Sequence, residues 1–156
     1  MALIVEDGTG LETAESYVSV VDCGTYCTAH AIAAWTGTDE AKEAALRNAT
    51  QYIDTNYQFK YEKTYVDQAL EFPRYWWEWD DPQMNRLRAA CCELAVKALS
   101  GSLYADVQAQ QTIKVKVGPI EKTTTPSASG QVTYKQVDSL LKQLILGGGS
   151  VAVIRA

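Results

Sequence analysis

Cys23, Cys27 and His30 stand at i, i+4 and i+7, a spacing that puts soft donors on one helix face. With Cys91 and Cys92 they are the residue types that ligate zinc, or that pair a thiolate with an imidazole base. The spacing argues against both. Structural zinc favours Cys-x2–4-Cys knuckles in loops, and adjacent cysteines on a helix point about 100° apart. Burial of Cys23, Cys27 and Cys91 as small apolar side chains is the reading the pattern favours. His30 is the sole histidine, and no Gly-x-Ser-x-Gly elbow surrounds a serine, so acyl transfer has no triad. Glu78 with Asp80 and Asp81, beside tryptophans, are acids of the kind found at sugar sites. Helix capping by Asp81 and solvation of the others account for them more simply. Gly147-Gly148-Gly149 lacks the Lys-Ser/Thr and the helix of a phosphate loop. Lys114, Lys116 and Lys122, with Tyr134 near in sequence, are a candidate basic strip with a base-stacking ring. The simpler reading is a solvated strand face guarded by lysine. No enzyme, metal or cofactor is expected.

Composition bounds the partners. The 156 residues fit one domain with a core large enough to fold unaided, and 47% hydrophobic residues suit a globular chain. A formal net charge of −5 argues against a clamp on phosphates. Nine Tyr and four Trp against two Phe favour interfaces, since these rings join an apolar body to a polar tip. No signal-peptide pattern or membrane-length apolar run is legible, so a cytosolic chain with reduced cysteines and no membrane partner is expected.

Elements follow from periodicity. Residues 1–18 read as an extended lead-in with a turn at Asp7-Gly8-Thr9-Gly10. A first helix starts at Ser19, with Asp22 as a weak capping-box partner. A second is capped by Thr38, with Ala41, Ala45, Ala49, Tyr52 and Ile53 inward and Glu43, Arg47, Thr50 and Asp54 toward water. A third is capped by Asp81 with Pro82 at its first position. It buries Met84, Leu87, Cys91, Leu94, Ala95 and Ala98, pairs Glu93 with Lys97, and stops at Gly101. Residues 112–117 alternate as a strand, and 120–125 return. A last helix over about 134–146 buries Val137, Leu140, Leu141, Leu144 and Ile145. The expected fold is mainly α: a bundle of about four helices with a short β-hairpin and extended N- and C-terminal arms.

Two segments escape the periodic pattern. Residues 58–81 carry alternating aromatics and then Phe72-Pro73-Arg74-Tyr75-Trp76-Trp77-Glu78-Trp79, a long ordered loop of the kind that carries function. At the other end Gly147, Gly148 and Gly149 form a hinge before Val151, Ala152, Val153, Ile154 and Arg155. This β-branched arm either returns to its own sheet or adds a strand to a neighbour. The expected division is therefore a domain over 1–146 and a docking arm over 147–156.

The order of several segments resembles a known family. They are residues 1–11, Ala14-Glu15-Ser16-Tyr17-Val18-Ser19-Val20, Ala44–Asp54, Phe72-Pro73-Arg74, Lys116–Ile120 and Val153-Ile154-Arg155-Ala156. Together they are similar to a tailed-bacteriophage family often labelled DnaT-like single-stranded-DNA-binding protein, and to the head–tail connector, or adaptor, proteins. That resemblance implies a structural virion protein: a ring homo-oligomer, typically dodecameric, at the neck. It would join the portal protein to a stopper or tail-completion protein, with double-stranded DNA passing through its lumen. It implies host cytoplasm during assembly and the virion thereafter. Val151–Arg155 would then be the portal-docking arm. Phe72, Arg74, Tyr75, Trp76, Trp77 and Trp79 would pack between subunits or against the next ring. The alternative implied by the label is a single-stranded-DNA-binding protein. The Trp-rich loop and the Cys23-Gly24-x-x-Cys27 stretch depart from the family pattern.

Overall fold

The computed structural model describes residues 2–76, 81–104, 113–117, 120–124 and 134–146, and the backbone alone in the two strands. The described chain is mainly helical. Its element order is α1 (Val20–Ala29), α2 (Asp39–Asn56), α3 (Pro82–Ser100), β1 (Ile113–Val117), β2 (Ile120–Thr124) and α4 (Lys135–Leu141). Two compact units result: Met1–Leu103 with Tyr134–Ala156, and Tyr104–Thr133. The second unit contains β1 and β2, an antiparallel pair in which Val115 faces Lys122. The expected division at residue 147 lies outside the described residues.

Helix starts follow local chemistry. Ser19 Oγ accepts the Asp22 N–H at 3.0 Å and donates to the Asp22 carboxylate at 2.6 Å, closing a reciprocal cap on α1. Thr38 Oγ1 accepts from Ala41 N at 3.3 Å, and Asp81 accepts from Gln83 N at 2.7 Å ahead of Pro82.

The helix interiors depart from the periodic reading in instructive ways. Cys23, Cys27, Cys91 and Cys92 are all buried, and the α2–α3 seam holds Leu46, Ala49, Ile53, Leu87 and Leu94. Ala41, expected inward, is exposed. Thr50, expected in water, is buried against Cys91, with Oγ1 3.5 Å from Sγ. Glu93 does not form the expected pair with Lys97. It is buried and accepts from Tyr26 Oη at 3.0 Å and Gln136 Nε2 at 2.7 Å, joining α1, α3 and α4. α4 ends at Leu141 rather than near 146: residues 142–144 turn, and Ile145 then forms an antiparallel bridge with Phe59.

Candidate interaction surface

The segment 58–76 has no helix and no strand of a sheet, yet it is held at many points. Lys60 N–H donates to Leu144 O at 2.9 Å and Leu146 N–H to Gln58 O at 2.7 Å. Further on, Thr64 N–H donates to Pro73 O at 3.2 Å and Tyr75 N–H to Glu62 O at 3.1 Å. Residues 58–64 thus pair first with Leu144–Leu146 and then with the FPRY turn, bending at Lys60 and Tyr61 between the two. The Phe72–Pro73 peptide in that turn is cis.

Arg74 clamps the two pairings together. Its guanidinium donates to the carbonyls of Phe59 at 3.4 Å, Tyr61 and Glu71, and to the Glu71 carboxylate. Only 9% of Arg74 is exposed, so these bonds satisfy carbonyls that water does not reach. Phe72 is fully buried, edge-on to Phe59 at 4.8 Å and to Tyr17 at 6.1 Å between centroids.

A second clasp ties the turn to α2 and to the lead-in. Tyr17 Oη donates to Asp54 at 2.5 Å, and the Glu71 N–H points at both, 3.1 Å from Tyr17 Oη and 3.2 Å from Asp54. Desolvation pushes the Asp54 carboxyl up to about 6, against the pull of the bonds from Tyr17 and Glu71. Burial, then the Asp54 charge, raise the Tyr17 phenol, which stays a neutral donor. The lead-in is itself pinned. Glu6 accepts from Gly8, Gly10 and Leu11 N–H at 2.8–3.0 Å. The Tyr65 ring lies against Gly10, where φ is +74° and a Cβ would collide with it.

These anchors correct the expected contact set. Phe72 and Arg74 belong to the chain's own core and present no side chain to a partner. Tyr75 and Trp76 do face outward, Trp76 with 85% of its surface exposed. Tyr61, Tyr65 and Val66 share the exposed segment. Tyr61 and Trp76 hold left-handed backbone, φ 64° and 72°, an unusual conformation for large side chains. Trp77 and Trp79 lie outside the described residues, as do the hinge Gly147–Gly149 and the arm Val151–Arg155. The described chain ends at Leu146, which is exposed and bonded to Gln58.

All three cations of residues 58–76 are engaged within the chain. Lys60 Nζ donates to Gln143 O at 2.9 Å, Lys63 pairs with Glu71 at 3.1 Å, and Arg74 is buried. Glu62 and Asp67 are exposed. Within residues 58–76 the three cations are balanced by Glu62, Asp67 and Glu71.

Of the other candidate groups, Cys23, Cys27 and Cys92 meet in the core, where the hydrogen bond from Cys92 holds the Cys23 thiol below its ordinary value, but His30 is exposed at the end of α1, stacked on Tyr26 at 4.2 Å. Burial pushes the Cys27 and Cys91 thiols up to about 12. Hydrogen bonding between Cys23 and Cys92 and then burial raise Cys92 further. Such thiols are protonated and weakly nucleophilic at neutral pH. Among the described residues no group of three or more His, Cys, Asp or Glu is placed to hold a metal ion. Tyr134, considered as a base-stacking ring, is edge-on to Tyr52 at 5.5 Å with its hydroxyl on Leu103 O. The side chains of Lys114, Lys116 and Lys122 lie outside the described residues. A cavity of about 470 Å3 opens where the lead-in, α1 and α3 meet.

None of the curated proteins and none of the solved structures matches the chain. A family model does, over residues 1–156, under the description "Putative DnaT-like ssDNA binding protein". The match spans the whole chain, and the protein belongs to that family.

Proposed function

We propose that this chain is a non-catalytic assembly subunit, the adaptor that joins a phage portal to its stopper or tail as a ring around the exiting DNA. The observation that carries this reading is the outer surface of residues 58–76. Tyr75, Trp76 and Val66 are exposed together while Lys60, Lys63 and Arg74 are all turned to internal partners. A surface that grips a nucleic-acid strand pairs stacking rings with cations that follow the phosphates. Rings without such cations suit a protein partner. The segment-by-segment resemblance to connector proteins supplies the finer role, as does a glycine-hinged apolar arm continuing from Leu146.

The test is direct. Full-length protein, mixed with a portal protein from the same source, is expected to form a complex that sediments as a ring on the portal. Truncation after Leu146 is expected to leave a folded chain that no longer joins.

A second reading, single-stranded-DNA binding, is favoured by the family's printed description and by the exposed rings. It predicts binding of a labelled oligonucleotide that weakens with salt at a log–log slope near −0.7 per phosphate contact. Binding with that slope, and no portal complex, would overturn the adaptor reading.

A further inference from the structure

Helix α1 reaches the core through sulfur. Its buried side chains are Cys23 and Cys27, and the Tyr26 hydroxyl adds a bond to Glu93 at 3.0 Å. Cys92 of α3 is buried too and hydrogen-bonds Cys23, which also takes a bond from Cys27. The bond from Cys92 holds the Cys23 thiol below its ordinary value, and donating that bond raises Cys92. Cys23 is thus the readier thiolate of the pair, with a second thiol in contact.

The four thiols are not equivalent. Cys91 is turned toward α2, its Sγ 3.5 Å from Thr50 Oγ1. Cys23 and Cys27 lie on one helix, where residues four apart hold their Cβ atoms about 5–6 Å apart. A disulfide needs about 3.5–4.5 Å between them. Cys23 and Cys92 come from different helices already in hydrogen-bond contact, so a small shift of α1 toward α3 joins them. The pair also has an approach. The cavity of about 470 Å3 is lined by Cys92 and by Asp22 and Tyr26, which flank Cys23 on α1. That volume admits a molecule little larger than water.

We propose that Cys23 and Cys92 are a peroxide-sensitive dithiol, whose reversible disulfide ties α1 to α3. The oxidant is hydrogen peroxide, entering through the cavity. The Cys23 thiolate attacks one peroxide oxygen, the O–O bond breaks, and hydroxide leaves Cys23 as a sulfenic acid. That hydroxide takes the Cys92 proton and becomes water. The Cys92 sulfur then attacks Cys23 Sγ, the S–O bond breaks, and the departing hydroxide takes up the proton that Cys23 first lost. Two thiols and one peroxide give one disulfide and two waters. The sulfurs lose two electrons and the peroxide gains them. The new bond closes a long loop of the unfolded chain, so the oxidised protein is the more stable form. The dithiol belongs to this core whichever partner the chain binds.

Peroxide treatment of the full-length protein at neutral pH tests it. Expected are a Cys23–Cys92 linked peptide in a non-reduced digest and a rise in Tm of about 5–10 °C that dithiothreitol reverses. Cys27→Ser and Cys91→Ser are each expected to keep the link. Cys92→Ser is expected to lose it and to leave a Cys23 sulfenic acid that dimedone traps. Thiols of the unaltered chain that stay unoxidised until urea exposes them overturn the proposal. A link to Cys27 or Cys91 in place of Cys92 overturns it as well. The unaltered chain supplies both of these readouts, so the result stands even where a serine variant fails to fold.

Discussion

Helix α3 and the loop over 58–76 bury their inner residues by opposite means. α3 places Met84, Leu87, Cys91 and Leu94 inward by period alone, and its backbone bonds close within the helix. The loop has no period to use. Its carbonyls at Phe59, Tyr61 and Glu71 are satisfied by one buried arginine, and its N–H at Glu71 by Asp54 and Tyr17. A helix is held by distributed apolar contact, so each residue carries a share. The loop is held by a few polar nodes, so single residues carry much of it. The loop also divides sharply between neighbours. Phe72 and Arg74 face the core, while Tyr75 and Trp76 face solvent. Rigid anchoring of the inner residues is what allows the outer rings to be presented at a fixed place.

Substitutions at four positions probe this contrast. Phe72→Ala is expected to have the largest effect, about 3–5 kcal/mol in urea unfolding, comparable to the loss for a core leucine of α3. A cost below about 1 kcal/mol would mean that the loop is a surface decoration on the helices. Arg74→Ala follows at about 3 kcal/mol, since it strands the carbonyls of Phe59, Tyr61 and Glu71. Arg74→Lys should recover less than half of that, because an ammonium cannot reach the Phe59, Tyr61 and Glu71 oxygens as a planar fork does. Full recovery by lysine would reduce the clamp to simple charge pairing.

The third probe is pH. Asp54 binds its proton more tightly in the folded chain, near pH 6, than its ordinary value of 3.8. The folded state therefore holds more protons between those values, and this group's contribution to stability falls as pH rises from about 4 to 7. The span is on the order of 2 kcal/mol. Asp54→Asn is expected to remove that part of the slope, read as the difference between the two proteins' unfolding curves at pH 4.5 and 7.5. Identical slopes would place the titrating group elsewhere. The smallest expected effect is that of Trp76→Ala on stability, within about 0.5 kcal/mol. A loss above 2 kcal/mol would show that Trp76 belongs to the loop's own packing and not to a partner surface.

Much of the fold was legible along the chain. Ser19, Thr38 and Asp81-Pro82 start their helices because an N-cap needs only local donors two or three residues away. Leu87, Cys91 and Leu94 follow from the helical period, and the β1–β2 pairing from alternation across a turn. The candidate surface was legible only in outline. The clustering of rings marked residues 58–79 as unusual, but adjacent Phe72, Arg74, Tyr75 and Trp76 carry no period that tells inside from outside. Two signals were available and weak: Arg74 directly after Phe72-Pro73, and Asp54 one residue after buried Ile53.

What the sequence by itself determined is the set of elements whose causes are local: the caps, the helical faces, the hairpin, and a net charge that disfavours a phosphate clamp. Only the tertiary structure decided the rest. Thr50 and Glu93 look solvent-facing by period, yet Cys91, Tyr26 and Gln136 come from distant segments to cover or bond them. Leu144–Leu146 would continue a helix by composition, but the chain turns over 142–144, and Gln58 and Lys60 pair with the backbone of Leu146 and Leu144. The physical reason is the same throughout. A polar group's burial depends on who bonds it, and that partner is chosen by packing across the whole chain rather than by its neighbours in sequence.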